Sequence, residues 1–374
     1  MTLGGSGQPL GLAFDLAGAR CAASRSNARS FIVQPLPEVG RWTADAWVLM
    51  LKRAAITALV SDGAPDGPVE LTLAVPAWLG MRDRHALRAA IDPDDELAIS
   101  LVSSTWAATV ADAQQRTERP DGPTLCIDAR RGWSAGLASI EDDRLVEVQA
   151  WGCDPWTEGG DLTEHHTCRA LLHELLDRHA EVGSVIVLDD EEGTSAVAIE
   201  TALRSIDASR TFHVVTADRA SRLVTQGATM LAGAPHRAAG AFPHELLVAT
   251  GDARSPDGEM LVVAARHAPM PSSSRHTFDL GPNDEVPLYF DVLERHHGTG
   301  APQPIVRAQL LRERGYDLTM EVTFGLSANG LFTVAPRRAW QLSWLPGRLH
   351  VDADDVIRND TPSAGARPTS RSTP

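Results

Sequence analysis

The chain has 374 residues, 43% hydrophobic and 22% charged, which excludes wholesale disorder and is enough for two or three packed units. Its formal net charge of -15 at pH 7, with arginines scattered among acids, argues against a nucleic-acid partner, because phosphate binding relies on clustered Lys and Arg that release counterions. No apolar run reaches the ~18 to 20 residues that span a bilayer, and Met1 to Ser6 lacks a basic or apolar leader, so no membrane insertion and a cytoplasmic location are expected.

In chain order, Leu10 to Asp15 is an apolar strand that ends in Asp, turns near Gly18 and continues as a small-residue strand. Trp42 to Val60 has apolar residues at helical spacing behind a Thr43 N-cap and predicts a helix closed by Asp62-Gly63. Glu70 to Val75 reads as a strand and Met81 to Ile91 as a helix stopped before Asp92-Pro93. A short strand over Leu97 to Leu101 and an alanine-rich helix over Ser104 to Ala113 follow, and the polar stretch Gln114 to Pro123 marks a boundary.

A second series repeats this grammar. A hairpin over 124–151, whose first strand ends in Asp128 and turns at Gly132, precedes a helix over 162–181 and a strand over Ser184 to Leu188. A helix near 194–206, a strand over Thr211 to Val215 and a helix over Arg219 to Ala232 complete it, so an α/β domain with an internal duplication is predicted. Gly233 to Phe242 has the Gly, Ala and Pro content of a linker. Beyond it the helical period disappears. Met260 to Ala264, Glu285 to Leu293, Ile305 to Leu311, Asp317 to Phe324 and Gly330 to Val334 are short strand-like runs between turns, the pattern of a compact all-β module. Asn359 to Pro374 has no apolar side chain larger than Ala or Pro and predicts a disordered tail. Cys21, Cys126, Cys153 and Cys168 stand singly, which suits buried thiols rather than a disulfide framework.

Two strand-Asp-turn-strand units facing one another across a cleft suit a metal-bound phosphate held between two loops. Such a cradle needs closely approached backbone N–H groups, hence glycine and small hydroxyl residues. The second turn instead carries Arg130, Arg131 and Trp133.

Val75-Pro76-Ala77-Trp78, followed by Arg84 and a helix, resembles the strand-to-helix stretch of the heat-shock protein 70 family. Ser103 to Ala108 falls where that family has Glu-Pro-Thr-Ala-Ala-Ala; Gly159-Gly160-Asp161 is similar to its Gly-Gly-Glu-Asp segment, and Val224 to Ala228 to its late Gly-Ala helix. Glu321-Val-Thr-Phe324, then Ala328-Asn329-Gly330, resembles its Glu-Val-Thr-Phe hairpin, and Met270-Pro271 and Phe278 fall at its Ile-Pro and Phe positions. These matches keep their order over most of residues 10–335.

The resemblance implies an α/β plus all-β protein: an actin-like, duplicated ribonuclease H-like nucleotide-binding domain followed by a β-sandwich of the peptide-binding type. It divides the chain into lobe I (1–118), lobe II (119–235), a linker (236–245), the β-sandwich (246–345) and a C-terminal extension with the tail (346–374). The short connections imply reduced peripheral subdomains, and no helical lid follows Val334. Asp15, Gly18, Asp128 and Gly132 fall at the family's nucleotide turns, so ATP or ADP with magnesium is the implied cofactor. The alternative reading is that the two aspartates only cap turns. The family's carboxylate near the attacking water is Ser103, and Asp189 to Glu192 stand where it has Gly-Gly-Ser, a run that would repel polyphosphate. No catalytic residue is therefore assigned. Aligning Met270-Pro271 places Met260, with Leu261, Val262 and Val263, along the peptide groove, where at most every second side chain can face it; the alternative reading is that this strand packs in the sandwich core.

Other constellations are weaker. His165 and Cys168 could share a helix face, with Cys153, His166 and His173 nearby, but nothing completes a zinc set and no metal is assigned. Trp42, Trp47, Trp78, Trp106, Trp133, Trp151 and Trp156 are dispersed, which suits core packing rather than base stacking. The leading expectation is a chaperone-like protein with a degenerate nucleotide site, binding unfolded or extended peptide segments or a dedicated protein partner. A minimal ATP-hydrolysing chaperone and a structural adaptor are the alternatives.

Overall fold

The computed structural model describes residues 10–15, 20–25, 32–35, 70–91, 98–116, 122–130, 133–141, 144–153, 175–179, 181–189, 194–206, 211–231, 240–250, 260–279, 288–296, 301–312, 319–327, 330–336 and 340–345. The helix expected within 42–60 and the tail lie outside these residues, as does most of the helix expected over 162–181, of which 175–178 is helical.

Strands β1 (Leu10–Asp15), β2 (Arg20–Arg25), β3 (Ile32–Pro35), β4 (Glu70–Val75) and β5 (Ala98–Ser103) form one sheet in the order β3-β2-β1-β4-β5. Strands β6 (Thr124–Asp128), β7 (Trp133–Glu141), β8 (Arg144–Cys153), β9 (Ser184–Leu188) and β10 (Thr211–Val215) form a second, ordered β8-β7-β6-β9-β10. In each sheet the first three strands run as an antiparallel meander and the fourth and fifth join parallel to the first. The duplication expected from the sequence is thus present, strand for strand. Ser184–Leu188 is buried along its whole length, as its continuous apolar run requires of a parallel interior strand.

Helices α1 (Met81–Ile91) and α2 (Ser104–Gln115) belong to the first series, and α3 (Thr194–Ile206) and α4 (Ala217–Leu231) to the second. Helix α2 packs on β6 and β7 of the second sheet, while α4 packs on β1 and β2 of the first, so each lobe lends a helix to the other. The two helices meet where Gly227 lies against Ala107; a Cβ there would come within 1.7 Å of the Ala107 carbonyl oxygen. Only glycine permits that approach. Among the described residues, no helix is long and apolar enough to cross a membrane.

The remaining strands are antiparallel: β11 (Glu245–Thr250), β12 (Met260–Ala264), β13 (Ser272–Asp279), β14 (Leu288–Arg295), β15 (Gln303–Arg312), β16 (Thr319–Leu326), β17 (Phe332–Pro336) and β18 (Trp340–Leu345). They form a five-stranded sheet, β12-β11-β14-β15-β18, and a three-stranded one, β13-β16-β17. Phe324 of the smaller sheet stands edge-on to Phe290 of the larger at 5.6 Å and stacks with Phe332 at 6.2 Å. Gly330 needs its glycine twice: its φ is +67°, and a Cβ would lie 2.8 Å from Met270 Sδ.

Strands β3, β11 and β13 escaped the sequence reading. In β13 every second residue is turned inward, but two of those are Ser274 and His276, so the alternation carries no hydrophobic signal. Strand β11 adjoins the Gly- and Ala-rich run that reads as linker. The described part of that run is no free linker: residues 240–244 are buried, with the Met270 N–H on the Gly240 carbonyl, the Phe242 N–H on Ala268 and the His267 N–H on Phe242.

Candidate functional site

Strand β6 delivers Asp128 to the end of the second sheet, buried to 6% exposure. The chain then doubles back, and Arg130 donates to both carboxylate oxygens, Nε to Oδ1 at 2.7 Å and Nη2 to Oδ2 at 2.8 Å. The Arg130 backbone N–H adds a 3.2 Å bond to Oδ1 and the Ser104 hydroxyl a 2.7 Å bond to Oδ2. Arg130 is itself 4% exposed, so this is a bidentate pair away from solvent. Ser104 begins α2, so Asp128 also ties lobe II to lobe I.

The fate of the other candidates is uneven. Asp15 ends β1 with its backbone opposite Arg20, while Gly18, Gly132, Arg131 and residues 190–192 lie outside the described residues. Asp189 is buried and its backbone N–H bonds the Val215 carbonyl. Trp133 lies in the lobe II core with Trp151; Trp78 and Trp106 are likewise buried, as expected of packing residues. Cys126 is a buried free thiol whose pKa burial pushes well up, with the Asp128 charge adding to the effect.

The lobes are also clasped at the Val75-Pro76-Ala77-Trp78 turn. The Ala77 N–H donates to Ser134 Oγ at 2.9 Å, and a Cβ on Gly152 would come within 2.2 Å of the Trp78 nitrogen. Val75, Ala77 and Trp78 are all buried.

Ser103, where the family resemblance led to a carboxylate, has a structural role. Its hydroxyl caps α2 by accepting the Trp106 N–H at 3.1 Å and donates to Glu147 Oε1 at 2.8 Å. Glu147, on β8 beside a bulge in the β7–β8 ladder, brings a buried carboxyl to this corner. Its Oε2 accepts the Ala241 N–H at 3.0 Å. Burial pushes Glu147 up to about 7, opposed by the hydrogen bonds from Ala241, Ser103 and Thr105 and by the charge of Arg84. One carboxyl thus joins lobe I, lobe II and the segment that leads to the β strands.

The β-rich unit docks on both lobes. Both Glu294 oxygens accept the N–H of Met81, the first residue of α1, at 3.0 and 2.9 Å. Arg84, 1% exposed, donates Nε to the Leu79 carbonyl and lies over the Phe242 ring at 5.8 Å. Burial lowers its pKa to about 10, against the pull of Glu294 and Glu147. On lobe II, the Ala150 N–H donates to His267 Nδ1 at 3.2 Å, and the His267 ring meets Trp151 edge-on at 4.9 Å. His267 holds a φ of 64°, a conformation a non-glycine residue adopts at some cost.

Of the expected groove residues, Met260 is 48% exposed, Leu261 is half-buried and Val263 is buried. The exposed partner of Met260 is Val262, at 47%. Strand β12 is the outer strand of its sheet, so the two side chains sit beside an edge of the ladder.

No family model matches the sequence, and no curated protein does. Among solved structures the chain is similar to a ROK family glucokinase from Streptomyces griseus in complex with glucose and AMPPNP, at 14% identity and a TM-score of 0.39, over 61% of this chain and 99% of that one. It is also similar to a ROK hexokinase from Thermus thermophilus, at 14% identity and 0.36, over 60% and 98%. A third is the ethanolamine utilization protein EutJ from Carboxydothermus hydrogenoformans, at 15% identity and 0.37, over 60% and 90%.

Sequence reasoning singled out Asp128 and Arg130 but missed Glu147, Glu294, His244 and His296. Glu147 sits alone in an otherwise ordinary strand, 44 residues from the hydroxyl that meets it. Glu294 lies 213 residues from Met81, and no spacing rule connects them.

Proposed function

We propose that this chain is a partner-binding protein related in design to a lidless heat-shock protein 70, with its nucleotide site closed from within. The observation that carries the reading is the Arg130–Asp128 pair. A turn aspartate serves a nucleotide by holding magnesium-bound water, which requires free carboxylate lone pairs and tolerance of a divalent cation. Here a guanidinium already supplies the positive charge. Expelling it from a buried bidentate pair costs about 3 to 5 kcal/mol, which weakens binding by a factor of roughly 100 to several thousand.

Binding then falls to the β-rich unit, read as a sandwich that takes extended apolar segments beside β12. Met260 and Val262 support this, because a thioether and a branched aliphatic on an outer strand suit sequence-tolerant strand addition. A peptide array tests it: a chaperone-like protein takes many apolar peptides, and Met260→Ser with Val262→Ser loses them. Retention of few or no peptides favours the adaptor with one dedicated partner.

A further inference from the structure

The corner where β11 and β14 meet lobe I gathers His244, Glu294 and His296, one donor atom from each lying within 4.8 Å of the others. Their positions follow from the register. Glu245 pairs with Arg295 and Leu246 with Glu294, so His244 and His296 stand opposite one another just beyond the last pair, with Glu294 on the same face two residues away. The imidazoles stack at 4.1 Å. Glu294 Oε2 lies 3.3 Å from His296 Nε2.

His244 is the unexplained member. It is 0% exposed, and neither ring nitrogen has a hydrogen-bond partner among the described residues. A buried imidazole with both nitrogens idle is costly in a folded protein. Its neighbours include an imidazole and a carboxylate, the donor types that bind zinc, together with the Phe242 ring and the charges of Arg84 and Arg266. A tetrahedral ion with bonds of about 2.0 Å holds its donors roughly 3.3 Å apart. The Glu294–His296 pair already has that separation, and a His244 ring nitrogen lies within 4.8 Å of both.

We propose that His244, Glu294 and His296 form a binding site for a divalent transition ion, with zinc the best match to two imidazoles and one carboxylate. Glu294 also accepts the Met81 N–H, and Gly80 leaves no room for a Cβ, which would lie 2.8 Å from Glu294 Oε2 and 3.0 Å from the His296 ring. A bound ion therefore joins β11 to β14 and stiffens the contact that docks the β-rich unit on α1. The site is independent of the nucleotide question.

The test loads the untagged, metal-stripped full chain with zinc, removes the excess and measures bound metal in wild type, His244→Ala and His296→Ala. X-ray absorption on the zinc-loaded wild type reads the donors directly. One zinc per chain is expected, with imidazole and oxygen donors, and each variant loses it. His296 is half-buried, so its variant is expected to keep the wild-type near-ultraviolet circular dichroism and serves as the decisive one. Less than half an equivalent in wild type, sulfur among the donors, or one equivalent retained by His296→Ala overturns the proposal.

Discussion

The Arg130 guanidinium holds both oxygens of the Asp128 carboxylate, at 2.7 and 2.8 Å, in a corner where neither residue reaches solvent appreciably. The guanidinium supplies the Asp128 carboxylate with its counter-charge from within the chain. Because the pair is buried, removing one partner strands the other. Arg130→Ala is expected to destabilise the fold by about 3 to 5 kcal/mol in urea denaturation, and the double variant with Asp128→Ala to recover part of that loss. A single variant within ~1 kcal/mol of wild type contradicts the geometry.

Glu147 gives the stability a pH signature. Its folded pKa, about 7, lies above the ordinary 4.5, so the native state holds the proton more tightly than the unfolded chain. The contribution is fully present below pH 4.5 and is lost as pH rises through 7, by roughly 3 kcal/mol in total. Glu147→Gln, which stays neutral, should remove that slope. Chemical denaturation of both proteins at pH 5 and pH 8 measures it, and equal slopes count against a protonated Glu147.

Gly227 tests the crossed helices. With a Cβ forced to 1.7 Å from the Ala107 carbonyl oxygen, Gly227→Ala must separate α2 from α4. The expected cost is at least about 3 kcal/mol, at the upper end of overpacking penalties. Thermal unfolding near the wild-type midpoint speaks against this helix contact.

On β12, orientation separates binding from folding. Met260→Ser and Val262→Ser are exposed changes expected to shift stability by no more than ~0.5 kcal/mol while weakening peptide capture. Val263→Ser, on the buried side, should instead cost about 2 kcal/mol or more. The comparison reads fluorescence anisotropy of a labelled apolar peptide beside the denaturation curves; peptide affinity unchanged in Met260→Ser and Val262→Ser removes β12 from the binding surface.

Local chemistry made much of the fold legible. Ser184 to Leu188 reads as a strand and is β9, and the helix expected near 194–206 is α3, Thr194–Ile206. What escaped was non-local or masked. Strand β13 turns Ser274 and His276 inward, so its period carries no apolar signal. The Gly- and Ala-rich stretch before β11 reads as a linker because composition does not reveal that Glu147 holds the Ala241 N–H. At the candidate site the sequence exposed the anomaly, arginine after the turn aspartate, but not its resolution, since only folding brings Ser104 and Arg130 onto Asp128. The pairing of Glu294 with α1 was beyond reach for the same reason.

The proposal that the Arg130-paired Asp128 turn takes no nucleotide is tested most directly by isothermal titration of the full chain with magnesium-ATP. No heat of binding is expected at ATP concentrations up to about 1 mM, where a Kd at that level already corresponds to only about 4 kcal/mol. Micromolar binding that disappears in both Asp15→Ala and Asp128→Ala contradicts the account.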